Sequence, residues 1–345
     1  MVLLAPILGR VMKMMKGRNL GHILVLAILL VSALAVPAVG VVFDEERPRI
    51  VCANSILADF TANVVGDLAR VEYLMPAGVC PSHYDSRPSD AEMVAGADVI
   101  IMMGWEGWLN GLISSTGQSE VPIIRCMGLG DQNLPENVKS FVDHIATDLA
   151  RVMEDDAAAL SSNAEAYKAQ VDAKDVDLKA RVRTAGLEGS KVVVMDWQRA
   201  FVESLGFTVA GTYGPPEGLS VQDQVNVSTT ASEEDVALVV DNLQSGTEFG
   251  AQVAAETGKE HVVLTNFPDA SPGTYSYLEM IDHNTDELID GAVRYDYKQG
   301  EIADLEAQVK DLEYASGLYL TMAVIALLVA TFLGVLLVRS RSRSD

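Results

Sequence analysis

Cysteine is scarce in this chain: three residues in 345, with no CxxC pair among them. That excludes a disulfide-stapled scaffold and the paired-thiolate spacing of structural zinc sites. Positive charge is also scarce, with 25 Lys+Arg against 48 Asp+Glu and a net charge of -23. A nucleic-acid binder needs a basic face for phosphates, so that class falls away. No GxxxxGK[ST] loop, GxSxG elbow or HExxH occurs, and no GxGxxG follows the first apolar run. With no nucleophile–base arrangement visible, an enzyme is not expected. Apolar residues, by contrast, make up 49% of the chain, too many for a disordered protein. The length allows two or three domains.

The two ends bear on the compartment. Residues 23–42 are uncharged and nearly all apolar, and follow Arg10, Lys13, Lys16 and Arg18. This reads as a signal peptide or an uncleaved N-terminal anchor. Residues 314–338 carry no charge and are followed by Arg339, Arg341 and Arg343. They are long enough to span a membrane, and the basic tail places the C-terminus in the cytoplasm. The chain between is then extracytoplasmic, at the cell membrane. It keeps all but one of the acidic residues, so its exterior is strongly anionic.

The middle reads as α/β: two lobes with mainly parallel sheets joined by a long backbone helix. Short apolar runs at 49–53, 71–75, 98–102 and 121–125 alternate with helical spacing, and runs at 191–194, 236–240 and 261–265 repeat the plan. Between them, 135–185 carries one helical pattern, either a single long helix or two helices with a break near Asp155–Asp156. After Gly300, the residues Ile302, Leu305, Val309 and Leu312 step by heptad spacing, as a short coiled coil or as a helical stalk feeding the span. The expected organisation is a leader over 1–43, a first lobe over 44–134 and the linking helix over 135–186. A second lobe follows over 187–296, then a stalk over 297–313, the span over 314–338 and a cytoplasmic tail over 339–345.

Open α/β sheets bind ligands outside the carboxyl ends of their strands. There the sequence places Asn54 and Ser55, the loop 76–90, and Gly104 to Glu106. In the second half it places Met195 to Gln198, Asp241, Asn242 and Gln244, and Asn266. Of the five histidines only His83 lies in such a loop, beside Cys80, Ser82, Tyr84 and Asp85. Cys52 begins in a core strand and is expected as a buried thiol. Cys80 and Cys126 are the pair expected if a disulfide forms.

At this point the sequence resembles a known family. CPSHYDSRPSD (80–90) is similar to the loop DPHxYxPxPSD of the zinc/manganese solute-binding proteins of metal ABC transporters. ADVIIMMGWEGWL resembles that family's ADLxxxNGxxLExWL. Pro135 to Asn137 and YKAQVDAKDVDLKARV resemble its backbone helix, and KVVVMDWQRAFVESLGF its entry to the second lobe. AETGKEHVVL and YLEMIDHNTDEL follow in the family's order. The resemblance covers about residues 49–293. It implies that the family's first His ligand falls on Ser82, with His83 next to it. The second falls in the region of Gly130, Asp131 and Gln132, and the third on Met195. An acidic ligand falls near Asp241 or Asn242, and the final Asp on Asn266.

The resemblance therefore implies a membrane-anchored solute-binding protein of an ABC importer, working with permease and ATPase subunits. Its cargo is a divalent metal ion, zinc or manganese, captured in the cleft between the lobes, or a softer ion or a metal complex. The expected site is His83, Met195, Asp196, Asn242 and Asn266. The alternative is a cell-surface interaction or adhesion protein that kept the fold and lost metal transport.

Overall fold

The computed structural model describes residues 47–341 apart from Ser119. The expected N-terminal leader and the last residues of the basic tail lie outside the described residues. The first sheet holds β1 (Arg49–Cys52), β2 (Arg70–Tyr73), β3 (Val99–Met102) and β4 (Ile123–Arg125), in the order β2-β1-β3-β4. The second holds β5 (Lys191–Met195), β6 (Thr208–Tyr213), β7 (Val236–Asn242) and β8 (Glu260–Leu264), in the order β6-β5-β7-β8. Every pairing is parallel. The two sheets thus share one winding, and in each the strand order reverses between the first and third strands. The β-branched runs VIIM and VALVVDN are buried throughout because helices cover both faces.

Helices α1 (Ser55–Val65), α2 (Pro88–Ala95) and α3 (Gly107–Thr116) belong to the first lobe. Helices α6 (Arg199–Ser204), α7 (Val221–Ala231) and α8 (Glu248–Thr257) belong to the second. Between the lobes the long helical pattern is broken. Helix α4 (Pro135–Val152) ends at a turn over Glu154–Asp156, and α5 (Ala157–Thr184) runs back along it. Ion pairs Lys139–Asp172 at 2.7 Å and Lys168–Asp143 at 2.6 Å fix the antiparallel register. Three consecutive acidic residues crowd the break, where a continued helix would stack like charges within one turn.

The 28-residue α5 is the element common to both lobes. Near its start Asn163 Nδ2 donates to Val64 O at 3.0 Å and Tyr167 OH to Asp59 Oδ2 at 2.9 Å, both on α1. Near its end Lys174 and Arg181 pair with Asp282, at 3.0 and 2.7 Å. Asp282 lies on α9 (Tyr277–Arg341), a single helix of 65 residues. One apolar core runs through both lobes, from Ile50, Phe60 and Ile101 by way of Phe141 and Leu178 to Val194, Leu238 and Tyr277. The Phe60 ring sits 5.8 Å from Phe141 and 5.4 Å from Tyr277, tying α1, α4 and α9 together. The described side chains of α9 beyond Tyr295 are exposed, except Ala315. Its C-terminal part is long and apolar enough to cross a membrane.

Two elements depart from the sequence expectation. Strand β6, TVAGTY, sits at a sheet edge and is only partly buried, so it carries no apolar run. Helix α7, VQDQVNVSTTA, is polar but capped: Ser220 Oγ accepts from Asp223 N at 3.2 Å, and Asp223 Oδ2 accepts from Ser220 N at 3.0 Å. That reciprocal capping box is a readable sequence signal.

Asp59 marks where α1, α5 and α9 meet, accepting from Tyr167 OH and, at 3.2 Å, from Tyr277 N. Burial, opposed by these two hydrogen bonds, pushes its carboxyl up to about 6. Between the ordinary carboxylate range and pH 6 the folded chain keeps a proton that the unfolded chain releases. Stability therefore falls as pH rises through that window, and the full cost is present above it. Asp59→Asn keeps an acceptor for both donors. Urea unfolding of this variant should show a flatter pH dependence between pH 4 and 6 and a gain of about 1–2 kcal/mol at pH 7. A loss of stability at pH 7 would refute this role for Asp59.

Candidate functional site

The carboxyl ends of β1 and β3 face those of the second sheet across the lobe boundary. After β1, Asn54 Oδ1 accepts from Leu57 N at 3.0 Å and caps α1, while Ser55 Oγ donates to Pro268 O of the second lobe at 2.7 Å. After β3, Glu106 is buried and its carboxylate is taken up by two backbone N–H groups, Met103 at 2.9 Å and Gly104 at 2.7 Å. It is therefore a loop staple and not a free ligand. The loop 76–90 is held by Tyr84, whose hydroxyl donates to Asp90 Oδ2 at 2.6 Å, and by Arg87 N, which donates to the same oxygen at 2.7 Å. His83 projects from this clamped loop with its side chain 64% exposed, and its Nε2 lies 3.9 Å from Glu217 Oε1 of the second lobe.

The second lobe presents a buried ladder of amides. Gln198 Nε2 donates to Asn266 Oδ1 at 2.7 Å. Gln244 Oε1 accepts from Asn266 N and from Asn242 Nδ2, both at 3.2 Å. Gln244 Nε2 donates to Thr265 Oγ1 and to Ala77 O of the first lobe, both at 2.8 Å. Asn242 Oδ1 closes its own turn by accepting from Ser245 N at 3.1 Å. Gln198 Oε1 is buried and has no partner. An orphaned acceptor of this kind is costly unless a ligand or water meets it.

Among the described residues, the hydrogen bonds between the lobes include Ser55 to Pro268, Gln244 to Ala77, and Tyr73 OH to Asp269 Oδ2 at 2.5 Å. Burial first, then the bond to Asp269, pushes the Tyr73 hydroxyl up to about 12, so it remains a donor at neutral pH. Asp269 adopts a φ of 66°, in the left-handed region that costs a non-glycine residue roughly 1–2 kcal/mol. The tie is held at the expense of local strain.

The five expected site residues do not converge. Asn242 and Asn266 share the ladder. Asp196 is exposed at the end of β5, and His83 stands at the rim. Met195 departs from the expectation: it is fully buried with Val193, Tyr213 and Val227 in an apolar cluster. Alternation along a strand gives the reason, since Val194 and Met195 must point to opposite faces. The same alternation separates Asp241 from Asn242. Asp241 is wholly buried and accepts from Tyr213 OH at 2.5 Å and from His261 Nε2 at 2.8 Å. A Cβ on Gly250 would lie 2.1 Å from Asp241 Oδ2, so α8 can approach only because that residue is glycine.

The cysteines depart from the expected pairing as well, and all three are free. Cys52 and Cys126 are buried, and their proximity adds to the desolvation that pushes the Cys126 thiol far above its ordinary value. Gln198 and Gln244 join the site on a signal the sequence did carry, their place just after strand ends; Thr265 had none. A cavity of about 360 Å³ is lined by second-lobe residues, Asp196, Thr212 and Asn226 among them. Among the described residues no three His, Cys, Asp or Glu side chains converge to hold a metal ion. Zinc and manganese sites use imidazole and carboxylate ligands. The neutral amides gathered here do not fit a bare ion of that class.

Residues 50–291 match the family described as zinc-uptake complex component A, periplasmic. A manganese-binding lipoprotein of Halalkalibacterium halodurans is 27% identical over 308 residues, covering 80% of this chain and 99% of that one. A manganese ABC transporter substrate-binding lipoprotein of Streptococcus mitis is 21% identical over 290 residues, covering 72% of this chain and 90% of the other. The Mn-bound periplasmic metal binding protein from Candidatus Liberibacter asiaticus shares the fold, with a TM-score of 0.60 at 19% identity, over 70% of this chain and 98% of that one. With a family match over most of its length, a shared two-lobe fold and the same order of motifs, this chain belongs to the zinc-uptake complex component A family of solute-binding proteins.

Proposed function

We propose that this chain is the solute-binding subunit of a metal ABC importer, partnered by a permease and an ATPase, and that its cargo is a metal complex carrying its own ligands. The observation that carries the cargo reading is the amide ladder with its unpartnered Gln198 Oε1. Family membership and the manganese-binding relatives support metal transport. A chelated or hydrated metal presents oxygens and N–H or O–H donors at its surface, and primary amides match both kinds of group. His83, Asp196 and Asn266 are the residues proposed to meet the complex, with Asn242 holding the ladder behind them. The second reading, a surface interaction protein that kept the fold, is favoured by one observation: no charged ligand set converges in the described residues.

Native mass spectrometry and elemental analysis of the full chain, purified without chelator, separate these readings. A metal bound together with an organic or inorganic ligand mass is expected. A bare zinc or manganese ion at one per chain, surviving dialysis, would overturn the complex; protein devoid of metal would favour the second reading. His83→Ala should weaken capture of the co-purified complex by about ten- to a hundredfold, the loss of one hydrogen bond to a charged group of the complex. Unchanged capture would remove His83 from the site.

The same proposal sets the topology. The apolar end of α9 crosses the membrane, residues 43–313 lie outside, and the C-terminus is cytoplasmic, as Arg339 and Arg341 favour. Protease added to intact cells should remove the lobes and spare a C-terminal epitope. Digestion of the epitope with survival of the lobes would invert the orientation.

A further inference from the structure

Of the histidines, His22 lies outside the described residues, and three of the others have a neighbour. His144 Nε2 sits 2.9 Å from Arg125 O, His261 pairs with Asp241, and His83 stands by Glu217. Among the described residues His283 alone meets no protein partner; it lines a cavity of about 240 Å³ instead. That cavity lies at the carboxyl ends of β7 and β8, where the loop after β8 meets the first turns of α9. Its walls are Leu243, Val263, Thr265, Ser271, His283 and Glu287.

His283 and Glu287 are four residues apart on α9 and so share one face of it. Both are half-buried, yet they form no ion pair with each other. The other acids of these turns are engaged elsewhere: Asp282 pairs with Lys174 and Arg181, and Asp286 with Arg181. No basic side chain lines the cavity, so the Glu287 carboxylate has nothing beside it to offset its charge. A half-buried charge in that position is costly unless a cation joins it. Ser271 spends its N–H and its carbonyl on Thr274, and its hydroxyl is left over. Thr265 is already committed, accepting from Gln244 and donating to Phe267 O. An imidazole, a carboxylate and a hydroxyl without protein partners therefore look into one small space.

We propose that this cavity is a divalent transition-metal site, with zinc the representative ion and His283 and Glu287 its ligands. An imidazole lone pair beside a carboxylate suits zinc and its neighbours in the first row, whereas magnesium takes oxygen ligands and sheds its water reluctantly. Water, held by the Ser271 hydroxyl, completes the shell. The ion ties α9 to the loop that carries Pro268 and Asp269, the residues that meet Ser55 and Tyr73 of the first lobe. With two protein ligands the ion exchanges, so the site fills in zinc-containing solution and empties on dialysis. It lies within the second lobe and does not depend on the cargo reading.

Calorimetric titration of the dialysed full chain with zinc chloride tests it. One zinc per chain is expected. His283→Gln and Glu287→Gln should each weaken binding by about tenfold or more, since even the groups that orient a metal ligand are worth that much. Magnesium chloride in excess should not compete. Neither side chain has a protein partner to lose, so zinc-free melting temperatures should match that of the parent, and zinc should raise the parent's alone. His83→Ala should bind zinc as the parent does. No zinc binding, binding that both α9 variants retain, or displacement by magnesium would each overturn the site and leave the cargo reading standing. Zinc lost in His83→Ala but kept in both α9 variants would put the ion in the cleft and overturn the two together.

Discussion

A buried primary amide has to place both an oxygen and a nitrogen, and Gln244 places them on four partners from three segments at once. Its oxygen holds Asn242 and the backbone of Asn266; its nitrogen holds Thr265 and reaches across to Ala77 of the first lobe. Each bond contributes about 1 kcal/mol net, but an amide left without partners in that setting costs more than it had contributed. The position of Asn266 and the contact of Ala77, in the loop before His83, with the second lobe both depend on satisfying this one side chain.

The consequence for function lies in what the ladder leaves over. Charged ligands would repel one another in an empty cleft and draw the lobes together only around a cation. Neutral amides pair among themselves within the second lobe, and one of them, Gln244, reaches Ala77 O of the first. The apolar core that runs through both lobes by way of α5 reinforces this, since opening must bend an element packed on both sides. Gln198 Oε1 remains the acceptor still to be met, and His83 with Glu217 stands at the rim. The anionic exterior raises the local concentration of cations without selecting among them. On the proposed reading, selectivity rests on the hydrogen-bonding surface the cargo presents.

Much of this was legible in the residues. The apolar runs of β1, β3, β5, β7 and β8 follow from burial on both faces. The single long helix expected over 135–186 is instead two helices, broken at the acidic run 154–156. Edge strand β6 was not legible, because a half-exposed strand of Thr, Ala and Gly resembles a loop. The expected ligands followed motif positions, and there side-chain direction decided. Met195 ends a strand, and one step of pleat sends its thioether into the core while Asp196 and Gln198 continue toward solvent and the ladder. The expected Cys80–Cys126 pair failed for a related reason: Cys126 follows β4 into the interior, beside Cys52. Pairing within an amide network is three-dimensional, and no spacing along the chain encodes it.

The central claim is that hydrogen bonds, not a bound cation, hold the lobes together. Pulsed electron paramagnetic resonance between nitroxides at the exposed positions Ser114 and Gln222, one in each lobe, measures it on the full chain carrying Cys80→Ser. The account predicts one narrow distance that neither a chelator nor added zinc or manganese changes, and that broadens in Gln244→Ala. A distance that lengthens with chelator, recovers with either ion and ignores Gln244→Ala would contradict it.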